Sequence, residues 1–141
     1  MDILKLKQLL NLSWSYEPCS PGLKNKWNKD NACIGQCAIT PIIVNDIFDG
    51  KIMRCMTSTG SHYYNLINDT IIDLTVEQFY YEIPKYEEGS KRTREYLLSN
   101  ENIKERHFLL TNRLEREDSK ICSIKKIIKY KKKRENYEDL Y

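Results

Sequence analysis

Three residues, met in the order Cys37, His62 and Asp73, carry the chemistry this chain could do. A thiol nucleophile needs a base to take its proton and a carboxylate to orient that base, and these types in this order supply the parts. Gln36 and Asn31 are side-chain donors near enough in sequence to contribute to an oxyanion hole. Trp27, Tyr63 and Tyr64 are candidates to line the pocket. Gly35, two residues before the cysteine, permits an unusual backbone angle and the close approach of a substrate.

Each residue also has a structural reading. Cysteine is among the most buried residue types, so Cys37 taken alone is more often a core thiol than a nucleophile. His62 alone reads as a satisfied strand residue, and Asp73 alone as a cap before Val76. Cys19, Cys33, Cys37 and His62 would together make four zinc ligands, but their spacing matches no common zinc pattern, so neither metal nor cofactor is expected. Cys55, inside a strand, and Cys122 read as bystanders. His107, beside Phe108 in a helix, reads as a core or surface residue.

The elements that must position the trio are legible from periodicity. Ala38, Ile39, Ile42, Ile43, Ile47 and Phe48 recur at helical spacing and are closed by Asp49-Gly50, which predicts a helix over 36–48. Pro41 is tolerated only in a first turn, so the helix should start close to Cys37. A thiol at such a terminus meets unpaired N–H groups and the positive end of the helix dipole, which favour the thiolate. Strand-like runs follow at 51–58, 62–67 and 71–75, the last two joined by Asn68-Asp69, a tight-hairpin signal. A two-residue turn there makes Tyr64 oppose Asp73 and leaves His62 diagonal to Asp73 on the same face. Such neighbours are roughly 7–8 Å apart, within side-chain reach. A one-residue slip would put them on opposite faces.

Elsewhere, leucines mixed with Lys5, Lys7 and Gln8 predict a short amphipathic helix ending near Asn11 to Ser13, and 15–31 reads as an irregular loop pinned by Trp14 and Trp27. A short helical turn is expected at 76–81 and helices at 91–99 and 101–117, the last with Phe108, Leu109, Leu110 and Leu114 on its apolar side. The whole predicts an α+β fold: N-terminal helices, one bearing Cys37, packed on a small antiparallel sheet, with a helical C-terminal part.

With 141 residues the chain suits one domain, placed at 1–118, followed by a basic amphipathic extension at 119–141. Eight basic residues and no acidic ones fall between Lys120 and Arg134, so the net charge of +3 hides an acidic body. That extension could meet nucleic acid or an anionic membrane, but docking its isoleucine face on the acidic body is the preferred reading. Five cysteines at irregular spacing, with no secretory signal and no transmembrane segment, suggest a reduced, cytoplasmic protein.

Several runs together form a longer pattern: Trp14-Ser15, Cys19-Ser20-Pro21, Trp27, Asn31, Gly35-Gln36-Cys37-Ala38-Ile39-Thr40, Asp46-Ile47-Phe48-Asp49-Gly50, Ser61-His62-Tyr63-Tyr64-Asn65 and Ile72-Asp73-Leu74-Thr75-Val76-Glu77-Gln78-Phe79. Over residues 10–115 this resembles the small bacterial YunG-like proteins. The resemblance implies a core similar to papain-like and transglutaminase-like thiol enzymes, in which a Cys-bearing helix packs on an antiparallel sheet carrying His and then Asp. The chain departs from the family pattern at Pro41, usually alanine, and at Tyr64, often tryptophan. The expected function is a cysteine-dependent hydrolase or acyl/amine transferase of peptidase, amidase or deamidase type, acting on an acyl or amide substrate. The alternative is a non-catalytic binding or interaction module on the same fold.

Overall fold

The computed structural model describes residues 1–119. The readings of the basic extension and of Cys122 lie outside the described residues, apart from Ser119.

Helix α1 spans Ile3–Ser13 and is capped by Asp2, whose carboxylate accepts from the Lys5 N–H at 2.8 Å. Its apolar stripe of Leu6, Leu9 and Leu10 is buried against Leu110 and Leu114 of α4, Glu101–Ser119. Helix α2, Thr40–Phe48, sits between these helices and the sheet, so it is apolar nearly all round. Ile39, Ile43, Val44 and Ile47 face α1 and α4, while Ile42 packs on Ile52, Tyr63 and Leu97.

The sheet is antiparallel throughout, in the order β3-β2-β1-β4, with β1 at Lys51–Thr57, β2 at Gly60–Ile67, β3 at Thr70–Ile72 and β4 at Ser90–Arg92. Asn68 and Asp69 both take positive φ, 49° and 61°, the signature of the two-residue turn whose twist suits a hairpin. Asn65 therefore pairs with Ile72, and Asp73 leaves the end of β3 opposite Tyr64. The fold is thus α+β, with a small four-stranded sheet and helices on both sides of it in sequence. Among the described residues, no helix is long and apolar enough to cross a membrane.

Three local expectations are corrected. Helix α2 starts at Thr40, so Cys37 lies in the turn before it; the Gln36 carbonyl accepts from both Ile39 and Thr40 N–H, and Pro41 stands in the first turn. The 91–99 region is not one helix. Thr93 accepts from the Tyr96 N–H as an N-cap, so α3 begins at Arg94 and runs to Leu98, and the extended residues before it pair with β1. Beyond Asp73 the expected helix over 76–81 shrinks to a single turn, Val76–Gln78.

Candidate active site

Cys37 is held from below by its own N-terminal loop. Ser20 N–H donates to the Gly35 carbonyl at 2.9 Å, and Gly35 has φ +74°. A Cβ there would lie 2.3 Å from Cys19 Sγ and 2.9 Å from Ser20 N, so only glycine fits. The close approach expected of a substrate is made here by the protein's own chain. Arg106 of α4, 6% exposed, ties the same loop from the other side. Its Nη1 donates to the Pro18 and Gly35 carbonyls at 3.4 and 3.3 Å, and its Nε to Asn102 Oδ1 at 2.8 Å. Burial pushes the Arg106 pKa down, while the thiols of Cys37 and Cys19 work in the opposite direction. Cys37 is half-buried; Cys19, Cys33 and Cys55 are buried, and all four are free thiols. Its Sγ lies 3.9 Å from the Ser61 carbonyl oxygen, beside the start of β2.

His62 is fully buried on β2 and its Nε2 meets Asp73 Oδ2 at 2.6 Å, with both side chains nearly inaccessible. The same oxygen accepts the Tyr86 hydroxyl at 2.7 Å. Asp73 Oδ1 accepts from the Thr75 N–H and hydroxyl at 3.3 and 3.4 Å, so this carboxylate both caps the turn and holds the imidazole. Phe79 closes edge-on over His62, ring centroids 4.9 Å apart, and Tyr64 lies near-parallel at 6.3 Å. Nδ1 of His62 is buried and has no nitrogen or oxygen partner among the described residues. Burial disfavours the charged ring, but the hydrogen bonds and charges of Asp73 and Cys37 outweigh it and push the His62 pKa up to about 9. Burial, then the bond to Asp73, hold the Tyr86 phenol above its ordinary range.

Cys37 opens into a cleft of about 320 Å³, lined by Ser20, Thr59, Ser61, Tyr63, Gln78 and Phe79 among others and, among the described residues, by no acidic or basic side chain. Among the described residues, no group of three or more His, Cys, Asp or Glu is placed to hold a metal ion.

Residues 2–118 match the model of the YunG protein family. The chain belongs to the YunG family. It is similar to the "Uncharacterized protein YunG" of Bacillus subtilis (strain 168), with 33% identity over 96 residues that cover 68% of this chain and 79% of that protein. No solved structure matches. The YunG match takes in Cys37, His62 and Asp73 together with α4, which supplies Arg106.

The structure gathers Cys37, His62, Asp73 and Tyr63 at one place and sends the remaining candidates elsewhere. Gln36 is fully buried and spends its side-chain amide on the Ser15 carbonyl at 3.0 Å. Asn31 donates to the Glu77 carbonyl at 2.7 Å, and Trp27 donates to the Ala32 carbonyl at 3.0 Å. Tyr64 lies behind His62 with its hydroxyl on the Tyr86 carbonyl, 2.9 Å away. None of these four lines the Cys37 cleft. Two neighbours of the site, Tyr86 and Arg106, were not singled out from sequence, and Phe79 stood only as the end of the 72–79 run. Only Arg106 had a visible signal, since 106, 110 and 114 share the buried stripe of α4.

Proposed function

We propose that this YunG-family protein is a cysteine-dependent acyl-transfer enzyme, a hydrolase or amine transferase acting on an uncharged amide or ester. The observation that carries the reading is the buried His62–Asp73 contact at 2.6 Å with Cys37 as the other group acting on the imidazole. A strongly perturbed histidine behind a half-buried thiol in a cleft is what a nucleophile–base pair requires. The order of the parts supports it too: Cys before a buried helix, His on an inner antiparallel strand, Asp after the next strand resembles the papain-like and transglutaminase-like cores.

In this mechanism Asp73 holds Nε2–H and so leaves Nδ1 to face the thiol. Cys37 Sγ, its proton already resting on Nδ1, attacks the carbonyl carbon; a C–S bond forms and the carbonyl π pair becomes an oxyanion. Collapse of the oxyanion breaks the bond to the amine or alcohol, which departs with the proton from His62. Water then attacks the thioester, His62 takes its proton, and the thiolate leaves, restoring the starting pair. An acceptor amine in place of water gives transfer. The His62 pKa near 9 favours the imidazolium from which the first step starts. Free thiols suit a reducing compartment, and we place the activity in the cytoplasm.

Iodoacetamide tests the reading. Burial pushes the Cys19 and Cys55 thiols up and Cys33 to about 12, so all three should label slowly. At about pH 6, Cys37 should label at least about tenfold faster than these, and His62→Ala should erase the difference. Uniformly slow labelling in peptide mapping would overturn the enzyme reading in favour of a non-catalytic module.

A further inference from the structure

The Cys37 cleft does not end at the thiol. Leu23, Thr59, Gln78 and Phe79 line both it and an adjoining hollow of about 650 Å³, so the two form one groove. A small pocket at the bottom of the ligand-pocket range (roughly 300–1,000 Å³) opening into a larger one suits a small reacting group carried on a larger body.

The far part of the groove is built on the strap that follows Gln78. Phe79 packs edge-on against His62, so the strap begins at the catalytic imidazole. Tyr80 and Tyr81 follow, 71% and 103% exposed, an unusual placing for consecutive tyrosines that no other described residue covers. Glu82 then fixes the strap: its carboxylate accepts the Ser58 N–H at 2.9 Å and the Ser58 hydroxyl, and these bonds pull the Glu82 pKa down. The exposed rings are thus anchored at both ends, to the dyad and to the β1–β2 tip. Leu23 and Ile34 line the same hollow, with Lys26 as the one cation and Glu82 as the one anion of the lining among the described residues.

Resting on the thiol-enzyme reading, we propose that the substrate is a polypeptide segment, its reacting amide in the Cys37 cleft and an adjacent aromatic or large aliphatic side chain on the Tyr80–Tyr81 strap. The lining mixes apolar surface with neutral hydrogen-bonding groups, Asn28, Ser58, Thr59 and Gln78, which suits peptide bonds alternating with apolar side chains. A fatty acyl chain has no use for those polar groups. A phosphorylated ligand would want more cation than Lys26, which shares the groove with Glu82.

Three chloromethyl ketones and iodoacetamide test this on the full chain. Acetyl-Phe-Gly, acetyl-Gly-Gly and plain octyl chloromethyl ketones all react alike: the Cys37 thiolate forms a C–S bond at the CH2 group and chloride leaves. The Phe probe should alkylate Cys37 about tenfold or more faster than the Gly probe, a preference of the size one well-placed apolar side chain gives. That ratio should fall to about threefold or less in Tyr80→Ala/Tyr81→Ala, whose changes lie at exposed positions, and should persist in Phe108→Ala, outside the groove. Equal Phe and Gly rates, or the octyl probe fastest, overturns the proposal while selective iodoacetamide labelling leaves the thiol reading standing. Loss of that selectivity removes the thiol reading, and the substrate assignment with it.

Discussion

Two hollows of this molecule each have a histidine at hand, one half-buried and one fully buried, and the two differ in what stands beside the ring. The larger, about 780 Å³, lies along α3 and α4 and is rimmed by Arg94, Glu101, Lys104, Glu105, His107 and Phe108. The smaller holds Cys37 with His62 behind it. Burial pushes the His107 pKa down; Asp46 pulls the other way, but Arg94, bonded to that same carboxylate, offsets part of the pull. Burial also disfavours charge on His62, yet Asp73 at 2.6 Å reverses the outcome. Size therefore misleads here. A buried, directly bonded carboxylate separates a histidine whose proton is held from one whose charge burial disfavours.

The strongest way to break the contrast is Asp73→Asn. It removes the anion and leaves the geometry, so the His62 pKa should fall well below 9, toward the low side where His107 stands. Removing one partner of a buried pair costs about 3–5 kcal/mol, which urea unfolding near neutral pH would register. A His62 resonance that still titrates near 9 would mean that Cys37, not Asp73, holds the proton.

The two histidines should also shape opposite limbs of the pH–stability curve. The folded His62 pKa is raised from 6.5 to about 9, so its contribution is full below 6.5 and lost as pH rises through about 9, amounting to about 3 kcal/mol. His107 is lowered, so the unfolded chain binds its proton more readily, and stability is lost as pH falls below 6.5. His62→Gln should flatten the alkaline limb and His107→Gln the acid limb. Urea midpoints across the range that keep both limbs in either variant would refute the assignment.

A smaller effect isolates the second donor on Asp73. Tyr86→Phe removes a hydrogen bond to a buried carboxylate, a loss of about 1.5–3 kcal/mol in stability. Freed of the phenol, Oδ2 should hold the His62 proton more tightly, and NMR titration should show the His62 pKa moving up. A downward shift would show that Tyr86 instead fixes the carboxylate's position.

How much of this was legible depends on how local the determining contacts are. The His62–Asp73 contact follows from one two-residue turn, because Asn68 and Asp69 at positive φ fix the register for every residue on that hairpin. Strand β4 was not legible: three residues with no alternation become a strand only because Thr93 stops the helix and the β1 edge is free to pair. Gln36 and Asn31 are close to Cys37 in sequence, but nearness also brings backbone carbonyls within reach, and Ser15 and Glu77 take their amides. Tyr86 reaches Asp73 from a turn with no periodic pattern, so its place depends on the tertiary path between Phe79 and β4.

The mildest perturbation sharpens the comparison from the other hollow. Arg94 and Asp46 meet through two bonds, Nε–Oδ1 at 2.7 Å and Nη2–Oδ2 at 3.2 Å, with side chains 40% and 37% exposed. Water screens a pair this open, so Arg94→Gln should change stability by less than about 1 kcal/mol. Its electrostatic consequence is more telling. With the guanidinium gone, Asp46 acts on His107 without the opposing charge, and the His107 pKa should rise. His107 would then move partway toward the state of His62 without gaining a direct bond to a carboxylate. An NMR titration in which His107 stays put would show that desolvation alone sets it, leaving the bonded carboxylate at His62 as the entire difference between the two sites.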